Sequence, residues 1–222
     1  MSGSVAYAQQ GDVALLTMDD GKANALAPAM SKALGAGLDR AAREAKAVVV
    51  AGRPGVLCGG YDLRIIRGDD EAKRARMRDL GTELMLRLYL SPQPIVFACT
   101  GHAVAAGAIL LMGADYRIGA AGDFKLGLNE TAIGLTLPHV ALEFARDRLA
   151  PAELQQAAVM AKLYDPPGAV AVGYLDETAD AEAVVERAVA KAAELAQLDA
   201  TAFAETKRRL RQPTVDRIRS AE

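Results

Sequence analysis

An α/β layer architecture with parallel crossovers is the fold class this sequence predicts, on three observations. The hydrophobic period switches repeatedly between strand-like and helix-like spacing along the first half of the chain. Two short runs, Val48–Ala51 and Ile95–Cys99, are apolar at every position, which marks strands covered on both faces. Beyond Glu130 the pattern turns mostly helical. Strands alternating with helices, then a helical end, require a mainly parallel sheet with helical cover.

Each element follows in order. Val13–Met18 reads as a strand after the turn Gly11-Asp12. From Pro28 to Arg43 the chain reads as a helix, with Met30, Leu34 and Leu38 on one face. Gly52-Arg53-Pro54-Gly55 breaks the chain after the first buried run. Asp69–Leu90 predicts an amphipathic helix stopped by Ser91-Pro92-Gln93-Pro94. After the second buried run, Gly101 opens a turn into an Ala-rich helix, Ala105–Ala114. Tyr116–Ala120 and Phe124–Leu128 are further strands. Helices are expected at Pro138–Leu149, Pro151–Lys162, Gly168–Val172 and Ala181–Leu195, with Pro166-Pro167-Gly168 as a loop. The basic tail Lys207–Arg219 reads as a solvated helix face.

Composition excludes several classes. With 222 residues, 26 basic and 28 acidic side chains and a net charge of −2, the chain lacks the basic footprint of a nucleic-acid binder. The absence of Trp and an aromatic content of 5% argue against a stacking platform for bases or sugars. Cys58 and Cys99 cannot build a disulfide framework, and no zinc-ligand spacing accompanies them, so no metal site is expected. The first residues lack a basic stretch followed by an apolar one, so no secretory leader is expected. The longest apolar stretch, around Ala103–Met112, is too short for a membrane span. A soluble cytoplasmic protein is the expectation.

Three segments carry candidate chemistry. In Cys58-Gly59-Gly60-Tyr61-Asp62, two glycines permit positive φ and a close backbone approach, so the Tyr61 N–H could face a cleft. The same residues equally suit a tight strand-to-helix turn. In Gly101–Ala108, small residues at a helix start leave backbone N–H groups free for an oxygen that becomes anionic, or simply allow close helix packing. In Leu126–Leu135, Glu130 sits among apolar residues at a strand end. Desolvation there would raise its pKa toward a useful acid/base value, although a turn-capping role fits too. The two histidines, His102 and His139, have no acidic neighbours and read as structural or surface groups. Cys58 reads as a small buried residue. No Ser-His-Asp set, HExxH, P-loop or complete GxGxxG is present.

In this order and spacing the three segments resemble the crotonase (enoyl-CoA hydratase/isomerase) superfamily. Gly21-Lys22-Ala23-Asn24-Ala25-Leu26 is similar to the family's early loop lining the coenzyme A site. Leu57-Cys58-Gly59-Gly60-Tyr61-Asp62-Leu63 resembles its first oxyanion-hole motif, with Tyr61 in place of the common Ala. Gly101–Met112 followed by Ala114-Asp115-Tyr116-Arg117-Ile118 resembles the second. The resemblance implies a spiral of ββα turns over residues 1–175, then a helical C-terminal region, 176–222, shorter than is usual. It implies an acyl-CoA thioester substrate, no separate cofactor because coenzyme A belongs to the substrate, and a homotrimer or dimer of trimers.

Carried over by residue, the N–H groups of Tyr61 and Ala106 would hold the thioester oxygen and Glu130 would move the proton. Lys22, Ala23, Ala25, Gly59, Gly60, Asp62, Leu63, Gly107 and Ile109 would line the substrate. Hydratases of the family place one glutamate where Ile109 stands and a second where Glu130 stands. A single base suffices to move a double bond from the 3 to the 2 position, so the resemblance favours isomerisation over hydration. Hydration, hydrolysis or C–C cleavage would need Asp62 or Glu143 to reach the cleft. A non-catalytic acyl-CoA-binding subunit is the remaining alternative.

Overall fold

The computed structural model describes residues 4–221. Its central sheet has six strands in the order β1-β2-β3-β5-β7-β9. These are β1 (Val5–Gln10), β2 (Val13–Met18), β3 (Ala47–Ala51), β5 (Ile95–Cys99), β7 (Tyr116–Ala120) and β9 (Glu177–Ala179). Only β1 runs antiparallel to its neighbour; the other pairs are parallel, as the two all-apolar runs require. A second, parallel sheet of three short strands joins β4 (Gly55–Cys58), β6 (Gly101–Val104) and β8 (Leu126–Gly127).

The chain passes between the sheets in a regular way. Each of β3, β5 and β7 is followed at once by a strand of the small sheet and then by a helix. β4 leads to α2 (Leu63–Ile66) and α3 (Glu71–Tyr89), β6 to α4 (Ala106–Met112), and β8 to the 3-10 turn Thr131–Ile133 and α5 (His139–Arg148). This is the expected ββα spiral, and it stacks the starts of successive helices at one end of the molecule.

Side-chain alternation explains why β3 and β5 lack polar positions. Val48 and Val50 on β3, with Ile95, Phe97 and Cys99 on β5, face the larger core, which also takes in α1 (Pro28–Glu44) and α4. The intervening Val49, Ala51, Val96 and Ala98 face a second core closed by Val184, Ala188 and Ala192 of α7 (Val184–Leu195). Each strand therefore buries both faces.

Several expectations needed correction. β1 has little apolar contrast because it is an edge strand with mostly exposed side chains. The turn expected at Gly101 is the strand β6; a Cβ on Gly101 would lie 2.0 Å from the Gly55 carbonyl carbon, so only glycine lets β6 lie on β4. Pro151–Lys162 is not one helix. It splits into a 3-10 turn, Pro151–Glu153, and a π-helical turn, Gln155–Val159, ended by Ala161 at φ 52° and by the pairing of Tyr164 with Leu126. Pro166-Pro167-Gly168 is the first turn of α6 (Pro166–Val172): proline suits that position, and the Asp165 carboxylate accepts from the Gly168 N–H at 2.9 Å. Residues 176–222 open with β9, which pairs with β7, before α7 and α8 (Ala200–Ser220). The basic tail is α8, but Lys207 and Arg211 point inward, only 6% and 5% exposed. Among the described residues no helix is long and apolar enough to cross a membrane.

Candidate active site

The loop before α1 is built around Asn24. This side chain is fully buried and its φ is 51°, a conformation asparagine tolerates better than most residues. Its Nδ2 donates to the Met18 and Leu57 carbonyls at 3.0 and 3.1 Å, and its Oδ1 accepts from the Asp20 N–H at 3.0 Å. Asp20 in turn accepts from the N–H groups of Lys22, Asn24 and Ala25. The loop is then stapled to the glycine turn from both sides. The Gly59 N–H donates to the Ala23 carbonyl, and the Leu26 N–H donates to the Gly60 carbonyl, each at 2.8 Å. In the sequence Asn24 is visible only as part of a motif; an asparagine among alanines, four residues after an aspartate, is the signal that marks it.

The two glycine-rich segments meet. Gly60 has φ 101°, and a Cβ there would lie 3.1 Å from the Ala105 Cβ and 3.8 Å from the Ala106 nitrogen. A Cβ on Gly107 would lie 2.2 Å from the Cys58 carbonyl oxygen, so α4 starts directly against β4. Ala105, at the head of α4, holds φ 50° and ψ −123°, a strained conformation for a residue with a Cβ. Its N–H donates to the Gly127 carbonyl at 3.0 Å, which ties this head to the strand leading to Glu130. Among the described residues, neither the Tyr61 nor the Ala106 N–H donates a hydrogen bond to another backbone or side-chain group. Two unspent donors beside a turn without side chains can hold an oxygen that gains charge.

Glu130 follows β8 and begins the 3-10 turn, its carbonyl accepting from the Ile133 and Leu135 N–H groups at 3.0 and 2.9 Å. The side chain is 7% exposed, and among the described residues its buried Oε2 has no hydrogen-bond partner. Burial raises its pKa above the ordinary glutamate value of 4.5. The Asn129 Oδ1 and the phenol oxygen of fully buried Tyr174 are likewise without partners. Tyr61 is half-buried, and burial together with the neighbouring Cys58 and Glu130 pushes its phenol up.

The expected residues differ in where the fold places them. Ala23, Gly59, Gly60, Ala106 and Gly107 come together as described. Lys22 and Leu63 are exposed, and the Lys22 carbonyl accepts from Arg53 Nε at 2.8 Å. Ala25 is partly exposed on the stapled loop, whereas Ile109 is buried in the larger core. Asp62 is occupied elsewhere: it caps α2 through the Arg64 N–H and pairs with the Arg64 guanidinium at 2.7 Å. Glu143 is held on α5 by Arg146 and by Arg217, the latter at 2.6 Å. His102 is a surface group whose Nδ1 accepts from the Lys125 N–H at 3.0 Å. Burial pushes the Cys58 thiol up to about 11, so it stays a neutral packing group.

A ββα spiral that brings two glycine-rich turns and a buried glutamate to one end defines a crotonase-type protein. Residues 8–221 match the family model described as enoyl-CoA hydratase/isomerase, and the chain belongs to that family. It is 28% identical over 172 residues to the rat mitochondrial enoyl-CoA delta isomerase 1, covering 77% of this chain and 60% of that one. A probable enoyl-CoA hydratase of Bacillus subtilis is 31% identical over 128 residues, covering 55% of this chain and 48% of that one. The chain thus spans between about half and 60% of the length of these curated relatives. A Mycobacterium tuberculosis protein, described as an enoyl-CoA isomerase in one solved structure and as a probable enoyl-CoA hydratase in another, superposes in the first with a TM-score of 0.94 at 43% identity, covering 99% of this chain and 96% of that one.

Proposed function

We propose that this protein is an enoyl-CoA isomerase that shifts a double bond from the 3 to the 2 position of an acyl-CoA thioester, with Glu130 as its only proton carrier. One observation carries the reading: the Glu130 carboxyl is buried with no arginine or lysine on it and its Oε2 unpartnered among the described residues, while Ile109 is apolar and arginines engage both Asp62 and Glu143. The thioester oxygen accepts from the Tyr61 and Ala106 N–H groups, which draws electron density from the carbonyl and acidifies the C2 protons. The Glu130 carboxylate takes a C2 proton, leaving an enolate whose negative charge rests on the oxygen between the two donors. Neutral Glu130 then gives the proton to C4, and the double bond settles between C2 and C3. Each donor contributes about 3–4 kcal/mol toward the enolate. Lys22, Ala23 and Ala25 are assigned to the coenzyme A side of the substrate. Gly59, Gly60, Asp62, Leu63, Gly107 and Ile109 are assigned to the walls around its acyl end. The same reading expects a homotrimer or dimer of trimers working in the cytoplasm.

Hydration is the second reading, favoured by the name of the Bacillus subtilis relative. The test is a paired assay of purified protein, 3-enoyl-CoA isomerisation beside 2-enoyl-CoA hydration, with wild type and Glu130→Gln. Isomerisation that falls by about 100-fold or more in the variant, without appreciable hydration, is the expected result. Hydration at ordinary enzyme rates overturns the single-base mechanism. Acyl-CoA binding without either reaction points to the non-catalytic subunit.

A further inference from the structure

We propose that the side chain of Tyr61, seated on Gly81 of α3, sets the upper limit on the acyl chain this protein accepts; the inference rests on the acyl-CoA reading above. Gly81 is buried in the interior of a 19-residue helix, a place where glycine is disfavoured relative to alanine. Its surroundings give the reason. A Cβ at Gly81 would lie 2.2 Å from the Tyr61 phenol oxygen and 2.8 and 2.9 Å from Cε1 and Cζ of the ring. The ring tip therefore rests on the α3 backbone in space that alanine would fill.

Tyr61 spans from the glycine turn to α3 with its ring packed against the larger core. Its two ends face different tasks. The main-chain N–H belongs to the pair of donors assigned to the thioester oxygen. The side chain leaves the same Cα and reaches the α3 backbone at Gly81. Because the ring and the N–H assigned to the carbonyl oxygen belong to one residue, acyl carbons leaving that carbonyl start beside the ring, and on this reading the ring occupies the volume a long chain needs. With Ala at this position that volume would be empty.

The experiment compares kcat/KM for 3-hexenoyl-CoA and 3-dodecenoyl-CoA in wild type, Tyr61→Ala and Tyr61→Phe. Wild type is expected to prefer the six-carbon substrate. Tyr61→Ala should raise the twelve-to-six ratio by about tenfold or more, and Tyr61→Phe, which keeps the ring, should retain the wild-type ratio. Gly81→Ala in the two backgrounds reads the contact without reference to activity: it should lower Tm in wild type and lose most of that effect beside Tyr61→Ala. Should Tyr61→Ala not fold, Tyr61→Leu supplies the same comparison with a shorter side chain. An unchanged ratio in an active protein overturns this inference alone. Additive Tm effects overturn the seat on Gly81. A wild type that turns over neither substrate overturns the isomerase reading and this inference with it.

Discussion

A carboxyl group that takes a proton from carbon and gives it back works best when water does not stabilise its anion, and Glu130 meets that condition at a cost to the fold. With its pKa raised by burial, the native state holds the Glu130 proton more tightly than the unfolded chain does. That contribution to stability is fully present below the unfolded pKa and is lost as pH rises through the folded one. Glu130→Gln is therefore expected to raise Tm at pH 8, by about 2–4 °C for each kcal/mol recovered, and to raise it less as pH approaches 4. Thermal melts of both proteins across that range check this. Activity has the opposite sign, because the base must be ionised to act: isomerisation should fall on an acid limb with its midpoint above 4.5. At this scale the sequence was informative about Glu130, since the one charged residue in the mostly apolar stretch Leu126–Leu137 is visible in one dimension. It was silent about Tyr174, whose buried phenol depends on residues far away in the chain.

The two N–H groups proposed as donors lie in the glycine turn, at Tyr61, and at the first residue of α4, Ala106, and their placement depends on how α4 sits on β4. At Gly107 of α4 the Cys58 carbonyl of β4 leaves room for a hydrogen but not a methyl. Gly107→Ala should move the head of α4 away from the glycine turn and spoil the Ala106 N–H geometry. A loss of about 100- to 1,000-fold in isomerase kcat is expected, the range for one misplaced oxyanion donor; steady-state kinetics beside a circular-dichroism check of folding would measure it. The longer elements were legible because periodicity accumulates along them: α1 and α3 fall within two residues of the expected bounds. The missed β4, β6 and β9 span only three or four residues, and the pieces of the small sheet owe their extended shape to pairing with one another.

The C-terminal helix joins the molecule through charge as well as apolar contact. Asp115, immediately before β7, receives Lys207 Nζ at 2.6 Å and the Arg211 guanidinium at 2.9 Å. Arg211 also donates to the Tyr89 and Ala114 carbonyls. Burial, which outweighs the nearby carboxylate, holds the Lys207 ammonium down to about 8. Asp115→Asn would leave two buried cations without their counter-charge, and a loss of about 3–5 kcal/mol is expected. Urea unfolding should show it as a lower midpoint. Six basic side chains in this tail read in one dimension as a solvated face. The helix in fact divides them: Arg208, Arg209, Arg217 and Arg219 stay exposed, while Lys207 and Arg211, one turn apart, turn inward.

The order of apolar and polar residues along this chain was enough to require a parallel sheet covered on both faces, because a strand without polar positions has no solvent side. It was also enough to single out two glycine-rich turns and one isolated glutamate. Tertiary structure alone decided that Gly60 abuts Ala105, that Asn24 bridges Met18 and Leu57, that Asp62 and Glu143 are engaged by arginines, and that Lys207 and Arg211 are inside. Each of those facts except the Asp62 pairing concerns side chains or turns brought together by packing across the fold. A linear pattern reports the preference of a residue for burial, but its partner is selected only when the sheets and helices close on one another.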